Sequence, residues 1–174
     1  MEITELTLQN VKSYGRDETQ MTFLPGVNFI WGENGSGKTT ILEAIGYALF
    51  GALDYTKEQF RREGESEGEI VLSFLGRDGR SYQLVRKVGS GSSYIFDPAI
   101  RRRLTRRQED MEHWLTDEMG VELGDHAKAL FRNAIGVPQG SMTGIFLETA
   151  QPRKAVFDEL LKVTEYRAAY DELA

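Results

Sequence analysis

Residues 32–39 read Gly-Glu-Asn-Gly-Ser-Gly-Lys-Thr, and no other stretch restricts the folding of this chain so tightly. Its glycines allow a backbone turn too tight for side chains, with successive N–H groups free to converge on one point. On the N-terminal side, Val27-Asn28-Phe29-Ile30-Trp31 is a short apolar run behind Pro25-Gly26, which predicts a buried strand. On the C-terminal side, Ile41, Leu42, Ala44, Ile45, Ala48 and Leu49 recur at helical spacing, with Gly51 just beyond as a stop. Strand, glycine turn and helix in that order aim a helix N-terminus at an anion. Gly, four free positions, then Gly-Lys-Ser/Thr is a complete P-loop, so the expected ligand is a nucleoside triphosphate with Mg²⁺. Gly32, Asn34, Gly35, Ser36, Gly37 and Thr40 are read as the cradle. Lys38 supplies a charge to the β- and γ-phosphates, and the Thr39 hydroxyl is a Mg²⁺ ligand. A flexible glycine turn is the plainer reading, but it leaves Lys38 and its flanking pattern unexplained.

With 174 residues, 40% of them hydrophobic, the chain is long enough for one domain with a core. Its net charge of −6 argues against a protein coated all over for nucleic acid and leaves room for a local basic face. There are no cysteines, so disulfides and cysteine-bound zinc are excluded within this segment. The N-terminus lacks a secretion-signal layout, and no apolar run approaches the ~20 residues of a membrane span. The expectation is an intracellular protein with no membrane partner, cytoplasmic and nucleoid-associated, or nuclear in a eukaryote.

Ile3, Leu6, Leu8 and Val11 predict a first strand with imperfect alternation, and residues 19–24 a second with Met21 and Phe23 on one face. Ile70, Leu72 and Phe74 alternate before Gly76-Arg77-Asp78-Gly79, and Tyr82 and Leu84 alternate after it, which predicts a β-hairpin. Tyr94-Ile95-Phe96 is a further strand, and the glycine-serine loop before it reads as a hairpin turn. The second half is helical: Thr105 and Gln108 form a capping box ahead of Met111, Trp114, Leu115 and Met119. Ala127, Leu130, Phe131, Ala134 and Ile135 make a second helix with Asp125 as its cap, and Pro152 starts a third with Val156, Leu160 and Leu161 inward. Tyr166, Tyr170 and Leu173 keep helical spacing to the last residue, so the segment reads as a piece of a longer chain. Arg101, Arg102, Arg103, Arg106 and Arg107 are the one dense basic feature, either a contact for DNA phosphates or a solvated loop and helix start. His113 and His126 have no companion at metal spacing.

Two stretches carry a resemblance to a known family. One runs from Leu8-Gln9-Asn10-Val11-Lys12-Ser13-Tyr14 through the P-loop to Ala48-Leu49-Phe50-Gly51. The other is Phe131-Arg132-Asn133-Ala134-Ile135-Gly136-Val137-Pro138-Gln139-Gly140, followed by Phe146-Leu147, Arg153, Leu160-Leu161 and Tyr166. Together they resemble the SMC-like ATPases of DNA double-strand-break repair, of the SbcC type. The resemblance implies an α/β fold, the N-terminal lobe of an ABC-type P-loop NTPase head. Its parts would be a mixed sheet, an antiparallel β region and a helical lobe, over residues 1–174, with a coiled coil starting near 160–174. It makes Gln139 the Q-loop glutamine, a Mg²⁺ ligand that also holds the attacking water. It places Lys12 and Ser13 in a loop reaching the nucleotide, with Arg62 nearby. Lysine stands where the family often has arginine, and it keeps the charge without the two-pronged geometry. Pro138 departs from the basic or polar residue often found before the glutamine and removes an N–H there.

The resemblance also implies what this segment lacks. No strand ends in an Asp-Glu pair, and no Ser-Gly-Gly signature is present. In the family both lie on a C-terminal half, beyond a long coiled coil whose hook binds zinc. The implied partners are that C-terminal lobe, a second head in a homodimer, an SbcD-type nuclease and double-stranded DNA. Lacking a base and a trans partner, the segment alone is expected to bind ATP better than it hydrolyses it. Two alternatives remain: an SMC or RecF/RecN-like chromosome-maintenance ATPase, and a nucleotide-gated interaction module that does not hydrolyse.

Overall fold

The computed structural model describes residues 1–136, 149–151, 154, 157–158 and 163–173. Its frame is a six-stranded sheet of β1 (Glu2–Gln9), β2 (Thr19–Thr22), β3 (Glu67–Leu75), β4 (Ser81–Gly89), β5 (Tyr94–Asp97) and β6 (Arg102–Arg103). The spatial order is β2-β1-β3-β4-β5-β6, and every pairing is antiparallel. The helices are α1 (Lys38–Phe50), α2 (Lys57–Phe60), α3 (Gln108–Met119), α4 (Asp125–Leu130), a π-helical turn (Phe131–Ile135) and α5 (Val163–Leu173). No helix among the described residues is long and apolar enough to cross a membrane.

Alternation puts Leu6, Leu8, Ile70, Leu72, Phe74, Leu84, Val88 and Ile95 on one face of the sheet, all fully buried. The imperfect alternation of β1 has a cause: the pairing register with β3 shifts between Ile3 and Glu5, a bulge that reverses the facing of the residues before it. Ile3 and Leu6 therefore both reach the core despite their odd spacing. The hairpin of β3 and β4 closes through Gly79, whose φ is 76° and whose N–H donates to the Gly76 carbonyl.

α1 packs its Ile41, Ala44, Tyr47, Ala48 and Leu49 into this core. It ends at Gly51 in the left-handed conformation, with Gly51 N–H donating to Tyr47 O and Ala52 N–H to Gly46 O. From β4, the buried Arg86 donates its Nε–H to the Ala48 carbonyl at 2.8 Å. A cation thus meets the negative end of the helix and satisfies one of its orphan carbonyls. Burial pulls the Arg86 guanidinium below its ordinary value.

Several expectations need correction. Residues 27–31 are not a buried strand: they pair with no strand among the described residues, and Val27, Phe29 and Trp31 are 99%, 86% and 82% exposed. Among the described residues the sheet is antiparallel throughout rather than mixed, since residues 27–31 add no strand to it. Thr105 does not cap α3. Its buried hydroxyl accepts from Ile95 N–H, and Arg107 is the N-cap residue, its own N–H donating to Asp110. Residues 102–103, read as loop, form the short edge strand β6. Asp125 is the first residue of α4 rather than its cap, and the expected helix over 127–135 breaks into α4 and the π turn, leaving Ile135 exposed. α2 was not foreseen, although Thr56 and Gln59 bond each other's N–H groups in a capping box. Pro152, Val156, Leu160 and Leu161 lie outside the described residues.

Candidate nucleotide site

Gly35 and Gly37 have φ of 84° and 93°, the left-handed region that a Cβ makes costly. Gly32 lies against the Ser36 side chain: a Cβ there would stand 2.9 Å from the Ser36 hydroxyl oxygen, which would have to turn aside. Ser36 N–H donates to Glu33 O and closes the turn. α1 then begins with Gly37 as N-cap, no capping side chain and no acidic residue in its first turn. Its first amides are thus left for an external anion, backed by the positive end of the helix dipole. Lys38 Nζ donates to the Gly32 and Glu33 carbonyls at 2.8 and 2.7 Å, which holds the ammonium at this loop. Asn34, Ser36 and Thr39 are exposed, whereas the Thr40 side chain is buried, so Thr40 can offer only its backbone N–H.

The turn after β1 folds against the same loop. Asn10 and Lys12 adopt positive φ of 53° and 46°, and Val11 bridges Tyr14 and Arg61. Ser13 Oγ lies 3.5 Å from Gly35 O. Tyr14, which carries no role in the sequence reading, donates its hydroxyl to Gly37 O at 3.3 Å and rests its ring on the bare face of Gly37. Spacing alone does not separate such a tyrosine from an ordinary core residue. Arg62 donates through one nitrogen to the Lys12 and Ser13 carbonyls at 3.2 and 3.1 Å, bracing this turn. The Lys12 ammonium has partners of its own: its Nζ sits 2.8 Å from Glu43 Oε2 and 4.0 Å above the Tyr55 ring. Burial pushes the Tyr55 hydroxyl up, with the Glu43 carboxylate adding to it. Gln139 lies outside the described residues.

Beside Lys38 and Thr39 opens a cavity of about 500 Å³, walled by Asn28, Leu42, Glu43, Tyr55, Phe131 and Arg132. Leu42, expected inward, is 44% exposed. The residues here suit a polyphosphate with a divalent cation: unpaired helix amides, glycine backbone without Cβ atoms, one ammonium and one free hydroxyl. No group of His, Asp and Glu among the described residues could hold a metal alone.

The arginine cluster is on the opposite edge of the sheet. Arg101, Arg102, Arg103, Arg106 and Arg107 are all exposed and form no ion pair among the described residues. Arg103 lies 3.7 Å over the Tyr94 ring.

Residues 5–173 match the profile of the AAA domain family. Among curated relatives named DNA double-strand break repair Rad50 ATPase, that of Methanopyrus kandleri is 29% identical over 98% of this chain and 20% of its own. That of Nanoarchaeum equitans is 38% identical over 98% of this chain and 22% of its own. The chain thus spans about a fifth of the length of these relatives. Among solved structures, one from work on ATP-driven dimerization and DNA stimulated activation of SMC ATPases superposes with a TM-score of 0.69 at 22% identity, covering 92% of this chain and 99% of that one. The Smc head domain with coiled coil and joint from Pyrococcus yayanosii gives 0.61 at 24% identity, over 98% of this chain and 34% of that one. At such identities the structural likeness speaks for the fold alone.

Proposed function

This chain belongs to the AAA domain family, as an N-terminal ATPase head segment of the SMC-like Rad50/SbcC kind, and from that premise we propose what it does. It is the ATP-binding half of a head that pairs with a second head on ATP and works with a nuclease in DNA double-strand-break repair. The observation that carries this reading is the uncapped start of α1 behind two left-handed glycines, with Lys38 held at the same loop. The backbone amides and Lys38 bind the β- and γ-phosphates, and Thr39 offers its hydroxyl to Mg²⁺. Held there by Thr39, Mg²⁺ would supply positive charge beside the phosphates. Gln139 supplies a second metal ligand and orients the attacking water. The Tyr14 turn, braced by Arg62, closes the other side of the cradle.

The base and the trans signature come from the missing half, so this segment alone binds nucleotide with little turnover. The exposed apolar residues 27–31 are the face on which that half docks. The free arginines near β6 neutralise phosphates of double-stranded DNA. The test is ATP turnover by the full-length protein, with nucleotide binding measured by calorimetry. Lys38→Ala is expected to cut affinity by at least about tenfold, the loss of one charge-assisted contact. Gln139→Ala is expected to cut turnover at nearly unchanged affinity. Full activity in both variants would end this reading.

A further inference from the structure

Two glycines near the site have no conformational reason to be glycine. Gly46 lies inside α1, where glycine is ~0.5–1 kcal/mol worse than alanine. Gly136 has φ of −105°, open to any residue. Both instead face one aromatic ring. A Cβ on Gly46 would stand 2.2 Å from Cε1 of Phe131, and one on Gly136 would stand 2.1 Å from its Cζ. The ring cannot step aside cheaply, because Phe131 is 6% exposed and stacks on Phe50 at 5.2 Å and 29°. Its neighbour is anchored as well: Arg132 Nε pairs with Asp54 at 2.7 Å, and its terminal nitrogen donates to Leu53 O at 2.7 Å, just past the end of α1.

Phe131 also opens the π turn, whose closing bond runs from Gly136 N–H to the Phe131 carbonyl at 2.7 Å. Ring and carbonyl therefore grip the same residue. A π turn holds one residue more than an α turn, so returning it to α would swing the onward chain by about 100°. Gly136 is the last described residue before Gln139, which follows within about 10 Å of chain.

We propose that Phe131 is a positioning residue: seated between Gly46 and Gly136, it transmits the placement of the P-loop helix to the segment that carries Gln139. The rigid α1 thereby has phosphate amides at one end and, near the other, the slot that sets where the chain departs for the glutamine. This rests on the reading of Gln139 given above, and its test separates the two.

In the full-length protein, Gly46→Ala should displace the ring. Turnover is expected to fall about ten- to a hundredfold, the scale of an ångström of misplacement, while affinity for a non-hydrolysable ATP analogue stays within about twofold. The Mg²⁺ concentration for half-maximal turnover is expected to rise. Phe131→Leu in the Gly46→Ala background makes room for the added methyl and is expected to recover most of the loss. A second readout needs no turnover: amide exchange at Gly136, Val137 and Gln139 is expected to quicken in Gly46→Ala and to slow again in the double variant. Gly46→Ala turning over within about twofold of wild type overturns the proposal. So does a double variant no better than the single one, or one whose exchange is unchanged. If Gly46→Ala fails to fold, Phe131→Leu alone replaces it, and unchanged turnover with unchanged exchange then counts against the slot. A wild-type protein with no Mg²⁺-dependent turnover overturns the reading of Gln139 instead, and the exchange result still decides the slot.

Discussion

Gly37 meets two demands at once, a φ of 93° and a tyrosine ring on its bare face. Gly37→Ala is expected to cost ~1–2 kcal/mol for the left-handed backbone alone, read as a lower thermal midpoint. It should also weaken ATP binding, since the loop has to move to clear Tyr14. Tyr14→Ala in the same background is expected to return binding only in part, because it removes the clash and leaves the backbone strain. The P-loop residues were legible as a sequence because backbone geometry forces glycine into them. Tyr14 was not, because its role comes from the turn at Asn10 and Lys12 that folds it across the loop. Lys12 shows the limit from the other side: its type suits a phosphate, and nothing in its sequence neighbourhood announces the Glu43 carboxylate and Tyr55 ring that meet its ammonium.

At the level of elements, the hairpin of β5 and β6 hangs on one buried carboxylate. Asp97 accepts from the Ala99 and Ile100 amides and pairs with Arg80, which fixes the tip that bears Arg101. Asp97→Ala leaves two donors without partners and is expected to cost ~1–3 kcal/mol in denaturant unfolding. The exposed arginines on this hairpin also allow a sharp test of the DNA contact. Arg101→Ala with Arg103→Ala in the full-length protein is expected to flatten the salt dependence of DNA binding by about 0.9 per lost contact. An unchanged slope would remove this edge from the DNA surface. β1 to β5 were readable from alternation, and the bulge in β1 explains its irregular spacing. The start of α3 was misread because Thr105, a good cap by type, is taken first by Ile95 across the sheet.

Across the whole molecule, the antiparallel sheet covers one side of α1, and the other side carries Leu42 and the exposed ribbon 27–31. An apolar run of this kind signals burial without naming the surface that buries it. Trp31 offers the measurement: in a Trp114→Phe background, its emission is expected to shift to shorter wavelength when the C-terminal half of the head is supplied. An unmoved spectrum would place the docking face elsewhere. The sequence by itself determined the glycine turn ahead of α1, the hairpin of β3 and β4 and the core face of the sheet, since each follows from local geometry or from a period of two or 3.6 residues. Only the tertiary structure decided that Lys12 answers to Glu43, that Tyr14 seals the loop and that Phe131 sits between Gly46 and Gly136. Those pairings join residues far apart in the chain, and no local period records which distant surface a side chain will meet.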